Sequence, residues 1–495
     1  MAWALIATLA VPLAAVFLTL GGGWRLARIA TALAGAIALG LTIMLAITVC
    51  HGRVLHALHG WLRLDSLGAI FLLATGLLYA VSAIFSIGYL HSDEPKDDFR
   101  KFARRYYALL NLFGLTMLLV PLTADFGTLW VAVELTTIVS ALLVAIDRTD
   151  AALEASWKYV LIASSGLGIA LLAIIILYAT GTHLLGGAYI PRFTRVLAHA
   201  HGYSADAVRL AFVLAVVGFG TKVGFVPMHT WLPDAHSEAP APASAMLSGS
   251  LLSAALYAIL RFFQVAVVAG QRGFAEHVLI VFGAASLIAA ALFVLRQGNY
   301  KRLLAYSSIE HMAVIALGIG FGAPLAVAGA LLHVITHASA KGMAFLGAGS
   351  LLRGYDTKEI DAVRGAGTTM PFTGPIFLAG AIALCGLPLS GVFRSEFEIV
   401  CGGFASSQYV GVALLIVFVN LAFFGIIWHA GRMVLTPPPA VGAGGADHGP
   451  AERSLWMIAA MALCLFVVVA LGVHIPGDLA SLLDSARHRL EVPLA

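Results

Sequence analysis

The sequence predicts an all-α polytopic membrane protein of fourteen transmembrane helices, and three observations carry that prediction. Of 495 residues, 60% are hydrophobic and 11% are charged, against roughly 25% charged in soluble domains. Apolar runs of about 20 residues recur from end to end, each long enough to cross a hydrocarbon core of about 30 Å. None alternates with a period of two, as the strands of an outer-membrane barrel do.

The runs fall at 2–20, 26–50, 65–90, 105–121, 124–146, 154–180, 208–226, 240–265, 274–295, 303–321, 323–351, 371–400, 408–433 and 454–474. The first leads directly into others and reads as a retained helix, not a cleaved signal peptide. The predicted organisation is four segments. Residues 1–104 hold helices one to three, 105–265 a first repeat (helices four to eight), 266–433 a second repeat (nine to thirteen), and 434–495 a linker, the last helix and a tail. The linker is the run "TPPPAVGAGGADHGPAER".

The stretches between helices are too short for a soluble domain. Odd-numbered loops hold the greater share of the 29 Lys and Arg, as in "KDDFRKFARR" and "RQGNYKR". By the positive-inside rule both termini face away from the cytoplasm of a cell inner membrane. The net charge of +4 follows from that bias and does not point to nucleic acid. Cys50, Cys385, Cys401 and Cys464 form no CxxC pair, so neither an iron–sulfur cluster nor a structural zinc is expected. Redox chemistry is expected to belong to partner subunits.

Ionisable residues away from the helix ends carry the functional signal: Glu134, Lys158, Lys222, Glu310, His311, His333, His337, Lys341, Arg394, Glu396 and His429. A charge at mid-membrane costs about 2.5–3.5 kcal/mol on insertion scales, and such residues mark ion paths or interior ion pairs. His333, His337 and Lys341 in "HVITHASAK" are four apart, which sets them on one helical face over about 12 Å. A ladder of titratable groups is what proton transfer along a helix needs. A histidine pair also suits haem or a metal, but no carboxylate or thiolate stands beside it in sequence, so no metal or cofactor is expected.

Glu134 is alone on its helix and needs a partner from elsewhere. A carboxylate and an ammonium that meet in low dielectric keep each other charged, and parting them favours the neutral forms. Glu134 with Lys222 is the candidate for such a switch.

Two helices are broken. The seventh carries Lys222 and is interrupted near Gly224–Pro227; the twelfth is interrupted at Gly386–Pro388–Gly391, with Glu396 shortly after. Broken helices at matching positions of two repeats are the sequence pointer to ion sites in transporters. Just beyond the first break, "HTWLPDAHSEAP" offers His229, Asp234, His236 and Glu238. These are metal-ligand types, but interfacial polar groups where protons enter or leave are the preferred reading.

"GTKVGFVPMHTWLPDAHSEAPAPASAMLSG", "NYKRLLAYSSIEHMAVIALGIG" and "LLHVITHASAKGMAFLGAGSLL" resemble the signature blocks of the antiporter-like subunits of respiratory complex I, membrane-bound hydrogenases and cation/proton antiporters. The resemblance covers about residues 60 to 435. "EASWKYV", "SSIEHM" and "GLPLSGVFRSEF" most resemble the F subunit of hydrogenase-4 and related formate hydrogenlyase modules. The resemblance implies fourteen helices with two inverted five-helix repeats. It also implies a proton relay of Glu134, Lys222, His333, His337, Lys341 and Glu396. Relatives carry a lysine or histidine where this chain has Ser253, so the link from Lys222 to the histidines needs water, with Ser253 and Tyr257 as hydrogen-bonding supports and Glu310–His311 as added capacity.

The expected function is a proton-translocating membrane subunit of a hydrogenase-like or NADH dehydrogenase-like complex, in the lipid bilayer beside other membrane subunits, with sodium as an alternative coupling ion. It binds no redox cofactor itself. The rival is a cation/proton antiporter module or the proton-driven partner of an inorganic-carbon transporter. A scaffold bundle that has lost transport is a third reading, for which Ser253 is the only hint.

Overall fold

The computed structural model describes residues 1–90, 99–437, 452 and 454–491, so most of the "TPPPAVGAGGADHGPAER" linker and part of "KDDFRKFARR" lie outside the described residues. Eleven helices there are long and apolar enough to cross a membrane. Spans one to six are Ala2–Gly21, Trp24–Val49, Ser66–Tyr89, Phe99–Leu122, Phe126–Val144 and Asp150–Leu185; spans eight, nine, ten, thirteen and fourteen are Ala241–Val268, Arg272–Val294, Tyr300–Gly320, Tyr409–Leu435 and Leu455–Val473. Span seven is Ala205–Val223 continued by Trp231–Glu238, span eleven is Pro324–Tyr355, and span twelve is Thr373–Leu384 continued by Gly391–Ala405. Among the described residues the predicted set of fourteen is therefore present, with shifted ends.

Side chains fix the starts of several spans. Asp65 Oδ1 accepts from the Gly68 amide at 2.9 Å, Asp125 Oδ1 from Thr128 at 2.8 Å, and Ser390 Oγ from Phe393 at 3.1 Å. Each satisfies an amide that has no partner inside its helix. Hydropathy does not mark the shorter elements, and two of them bear on the packing. Leu55–Ala57 and Leu62–Leu64 form an antiparallel hairpin before span three. The tail holds a helix, Gly477–Glu491, packed on spans two, three, eight and eleven.

Spans three, eight, ten and eleven form the interior, while spans one, two, six, nine, thirteen and fourteen keep an exposed apolar face. Span five packs on six and six on seven; span ten packs on eleven and eleven on twelve. The closest approaches use small residues, as membrane helices do. A side chain added at Gly218 would strike Ala170 of span six, and one at Gly402 would strike Ala326 of span eleven.

Both predicted breaks are present. Gly224 has φ +90° and closes the first half of span seven; Gly386 (φ +60°) and Leu389 (φ +75°) lie in the break of span twelve. Backbone opened within a membrane must find partners in the protein. Trp231 Nε1 donates to the Thr221 carbonyl at 2.7 Å, and Ser286 Oγ accepts from the Val226 amide at 3.0 Å.

Candidate proton-relay site

Lys222 lies in the last turn of the first half of span seven and is fully buried. The carbonyl end of a helix favours a cation, which the break creates at mid-chain. Its Nζ donates to the Val133 carbonyl at 2.6 Å, Thr136 Oγ1 at 2.7 Å and Thr137 Oγ1 at 2.5 Å. All three acceptors belong to span five. An ammonium has three donors, and this seat uses every one.

The seat is not the one the sequence suggested. Glu134 neighbours it on span five, but its Oε1 accepts instead from Ser164 of span six at 2.8 Å, and its Oε2 has no hydrogen-bond partner. The direct Glu134–Lys222 contact is therefore not made. Helical geometry gives the reason: Val133, Thr136 and Thr137 share a buried face, whereas Glu134 lies beside the exposed Val131, Leu135 and Ile138. Tyr159 extends the hydroxyl set, with its OH 2.8 Å from Ser140 Oγ.

The second cluster joins spans ten, eleven and twelve. His311 Nδ1 is 3.0 Å from His333 Nε2, and His333 Nδ1 is 2.8 Å from Ser395 Oγ. Ser395 has one proton, directed at the carbonyls of Val392 (2.8 Å) and Gly391 (3.0 Å) of its own helix. With the proton so directed, its oxygen accepts from His333, the His333 proton sits on Nδ1, and Nε2 accepts from His311. In that arrangement the donors run one way, from His311 to Ser395, and turning the serine hydroxyl toward His333 reverses them.

The His337 ring centre lies 5.0 Å from that of His311 and 6.3 Å from that of His333. Both of its nitrogens, and His311 Nε2, are buried without a hydrogen-bond partner. Buried polar groups of this kind take their partners from ordered water. The predicted ladder is therefore a triangle, with His311 of span ten at its centre and not at its margin.

Glu396 joins the cluster from the resumed half of span twelve, its Oε1 3.9 Å from His311 Nδ1. A side chain on Gly386 would collide with Glu396 Oε2, so the break makes room for the carboxylate. Glu396 also lines a cavity of about 230 Å³ between spans twelve and thirteen. Lys341, fully buried on span eleven, donates to the Leu304 carbonyl at 2.9 Å and to Ser307 Oγ. Carbonyl i and hydroxyl i+3 of a neighbouring helix hold it, as Val133 and Thr136 hold Lys222. Glu310, one turn beyond Ser307, is buried with Oε2 unpartnered.

Span eight supplies hydroxyls by a route the sequence does not show. Leu247–Leu251 is a π-helical turn, a feature frequent at functional sites. It accompanies contacts of Ser248 with Ser308 Oγ at 2.7 Å and of Ser250 with Thr75 Oγ1 at 2.8 Å. Ser253 spends its proton on its own helix, at the Gly249 carbonyl (3.1 Å). Tyr257 accepts from Arg261 at 2.8 Å and belongs to a different group. There Asp65 meets Arg63 and Arg261, each at 2.7 Å. Burial pushes the Asp65 carboxyl up, but the two guanidiniums outweigh it and hold the group well below the usual carboxylate range.

"HTWLPDAHSEAP" forms the helix Trp231–Glu238 and its flanks. Asp234 pairs with Arg302 (2.6 Å) and Lys158 (3.3 Å), and Glu238 with Lys358 (2.8 Å). His236 Nδ1 is 2.8 Å from the Leu232 carbonyl, and the His229 ring faces Phe293 and Tyr306. These groups are dispersed into separate contacts, not gathered at one centre. Lys301, overlooked in the sequence because it borders a loop, is buried with Nζ on the carbonyls of Ser237 (2.8 Å) and Ala239 (2.6 Å).

Known proteins share this architecture. The chain superposes on a subunit of the Mrp complex of a Dietzia species with a TM-score of 0.85, covering 100% of this chain and 98% of that one at 22% identity. A chain of respiratory complex I from Thermus thermophilus gives 0.82, covering 99% of each at 24% identity. In sequence, the chain is 35% identical over 422 residues to the hydrogenase-4 component F homolog of Methylacidiphilum infernorum, covering 83% of this chain and 85% of that one. It is 28% identical to hydrogenase-4 component B of Escherichia coli over 83% of this chain and 62% of that one. With residues 123–423 also matching the family's profile, the chain belongs to the NADH:quinone oxidoreductase/Mrp antiporter transmembrane family.

Proposed function

We propose that this multi-pass membrane protein is the proton-translocating subunit of a hydrogenase-4-like or NADH dehydrogenase-like oxidoreductase. Its similarity to hydrogenase-4 component F supports that assembly. Partner subunits carry out the electron chemistry, and their turnover moves the Lys222 ammonium between its threonine seat and Glu134. A proton then passes from Lys222 through His337, His311 and His333, with Lys341 storing charge and Glu396 at the far end. Residues 105–265 and 266–433 act as the two repeats, and both termini face away from the cytoplasm, as the distribution of Lys and Arg favours.

The observation that carries this reading is the hydrogen-bonded row from His311 through His333 to Ser395, with Glu396 beside it. Imidazoles donate and accept at once, which proton transfer requires. Sodium would want oxygen ligands, and this centre is rich in nitrogen. The test is proton uptake by vesicles holding the purified complex. Lys222→Ala and His333→Gln abolish uptake while the subunits still co-purify; normal uptake in either variant removes that residue from the route.

A further inference from the structure

The histidine cluster also has the composition of a metal site. We propose that His311, His333 and Glu396 capture a divalent transition-metal ion of the zinc type. Each residue offers one ligand atom, and the three atoms lie within 4.8 Å of one another. Ligands about 2.0–2.1 Å from a tetrahedral zinc are about 3.3 Å apart. The observed separations of 3.0 Å between the imidazoles and 3.9 Å from His311 to the carboxylate bracket that spacing.

Two imidazoles and a carboxylate are the protein ligands of open zinc sites, which keep a fourth position for water. Of the three residues Glu396 alone lines the cavity of about 230 Å³, together with Cys385, Asn420 and Phe423, and a fourth, water ligand would enter from that side. Glu396 is the most accessible of the three, its side chain 12% exposed, while both imidazoles are fully buried. An ion arriving from the cavity meets the carboxylate first and the rings behind it.

The outer contacts agree. Ser395 holds His333 by Nδ1 at 2.8 Å and so turns Nε2 to the site as a lone pair, the orienting bond that metal-binding histidines need. Glu396 Oε1 has no hydrogen bond to give up. His311 binds by exchanging its Nδ1 proton for one on Nε2, which is unpartnered. Nitrogen ligands select zinc-like ions over sodium or magnesium. Coordination replaces the His311–His333 hydrogen bond, so a bound ion interrupts proton transfer. That last consequence rests on the proposed relay; the binding does not.

The test uses the full chain in lipid nanodiscs, as the His51→Gln variant to remove the surface group of Cys50, His51 and Asp478. Zinc affinity is measured by competition with a chromophoric chelator, and the ligand shell by X-ray absorption at the zinc edge. The expected result is one zinc per chain in a shell containing two imidazoles. The site is lost in His311→Gln and His333→Gln, and weakened about 10–100-fold in Ser395→Ala. Should the histidine variants fail to fold, Glu396→Gln and Ser395→Ala carry the same test. Unchanged affinity in the folded variants, or a shell without imidazole, overturns the site. Proton uptake by reconstituted complex is then measured with zinc added. Zinc that binds at these residues yet leaves uptake unchanged leaves the site standing and overturns the relay.

Discussion

Removing the two hydroxyls that hold Lys222 tests the relay at its first station. Valine has the shape of threonine without the accepting hydroxyl, so Thr136→Val and Thr137→Val leave the packing of span five against span seven in place. Each deletes one of three charge-assisted hydrogen bonds, of 2.7 and 2.5 Å. A hydrogen bond to a charged group contributes about 1.5–3 kcal/mol, and 1.4 kcal/mol is about tenfold in an equilibrium. Either single variant therefore lowers occupancy of the seat by about 10–100-fold. In the double variant only the Val133 carbonyl remains, and the ammonium is left without enough partners to stay. The assay is the initial rate of proton uptake by vesicles holding the purified complex, with subunit content checked by gel. Uptake falls at least about tenfold in each single variant and further in the double one, and Thr136→Ser with Thr137→Ser restores it. A double valine variant that pumps at the full rate would show that the hydroxyl seat is no station on the route.

Two further outcomes follow from the break in span twelve and the cluster around Asp65. Gly386→Ala places an L-residue at φ +60° and drives its side chain into Glu396; stability falls by at least about 1 kcal/mol, and proton uptake falls with it, both read on the same preparation. Asp65→Asn leaves the buried Arg63 and Arg261 unpaired and costs about 3–5 kcal/mol, seen as a lower melting temperature. Because the folded carboxyl titrates well below its unfolded value, its contribution is complete above the unfolded value of about 3.9 and is lost only as pH falls toward the folded one. The melting difference between the native chain and Asp65→Asn is therefore constant from about pH 5 to 8 and shrinks only in stronger acid; a difference that vanished near pH 7 would contradict the pairing.

Much of this fold is written in hydropathy. Twenty apolar residues in a row have one stable arrangement in a bilayer, and glycine with proline in such a row marks where the backbone opens, so spans seven and twelve were legible with their breaks. Lys222, His333, His337, Lys341 and Glu396 stand out because charge in lipid is costly. What sequence could not supply is which face of one helix meets which face of another. Thr136, Thr137, Ser307 and Ser395 carry no signal in sequence, because hydroxyls in membrane helices ordinarily bond back to their own carbonyls, as Ser253 does. His311 looks like added capacity in sequence, since nothing in the local pattern tells that span ten turns it between His333 and His337. Glu134 and Lys222 were matched by charge, but a helix can offer a cation its carbonyls and hydroxyls as well as its carboxylate. Tyr257, expected beside Ser253 as a hydrogen-bonding support, turns instead to the guanidinium one turn further along.

The helix Gly477–Glu491 binds parts of the chain made long before it. Ser485 donates to the Cys50 carbonyl at 2.7 Å, Arg489 to Ser66 Oγ and the Gly52 carbonyl, each at 3.0 Å, and Gln264 to the Arg489 carbonyl at 2.9 Å. The start of span three and its preceding turn therefore wait, through the insertion of eleven later spans, for partners on a helix that follows them all in the chain. Until that helix docks, the Cys50 and Gly52 carbonyls and Ser66 Oγ lack these partners. A chain without Gly477–Glu491 would keep every residue of the proposed ion path and lose the contacts that tie its early helices to spans eight and eleven.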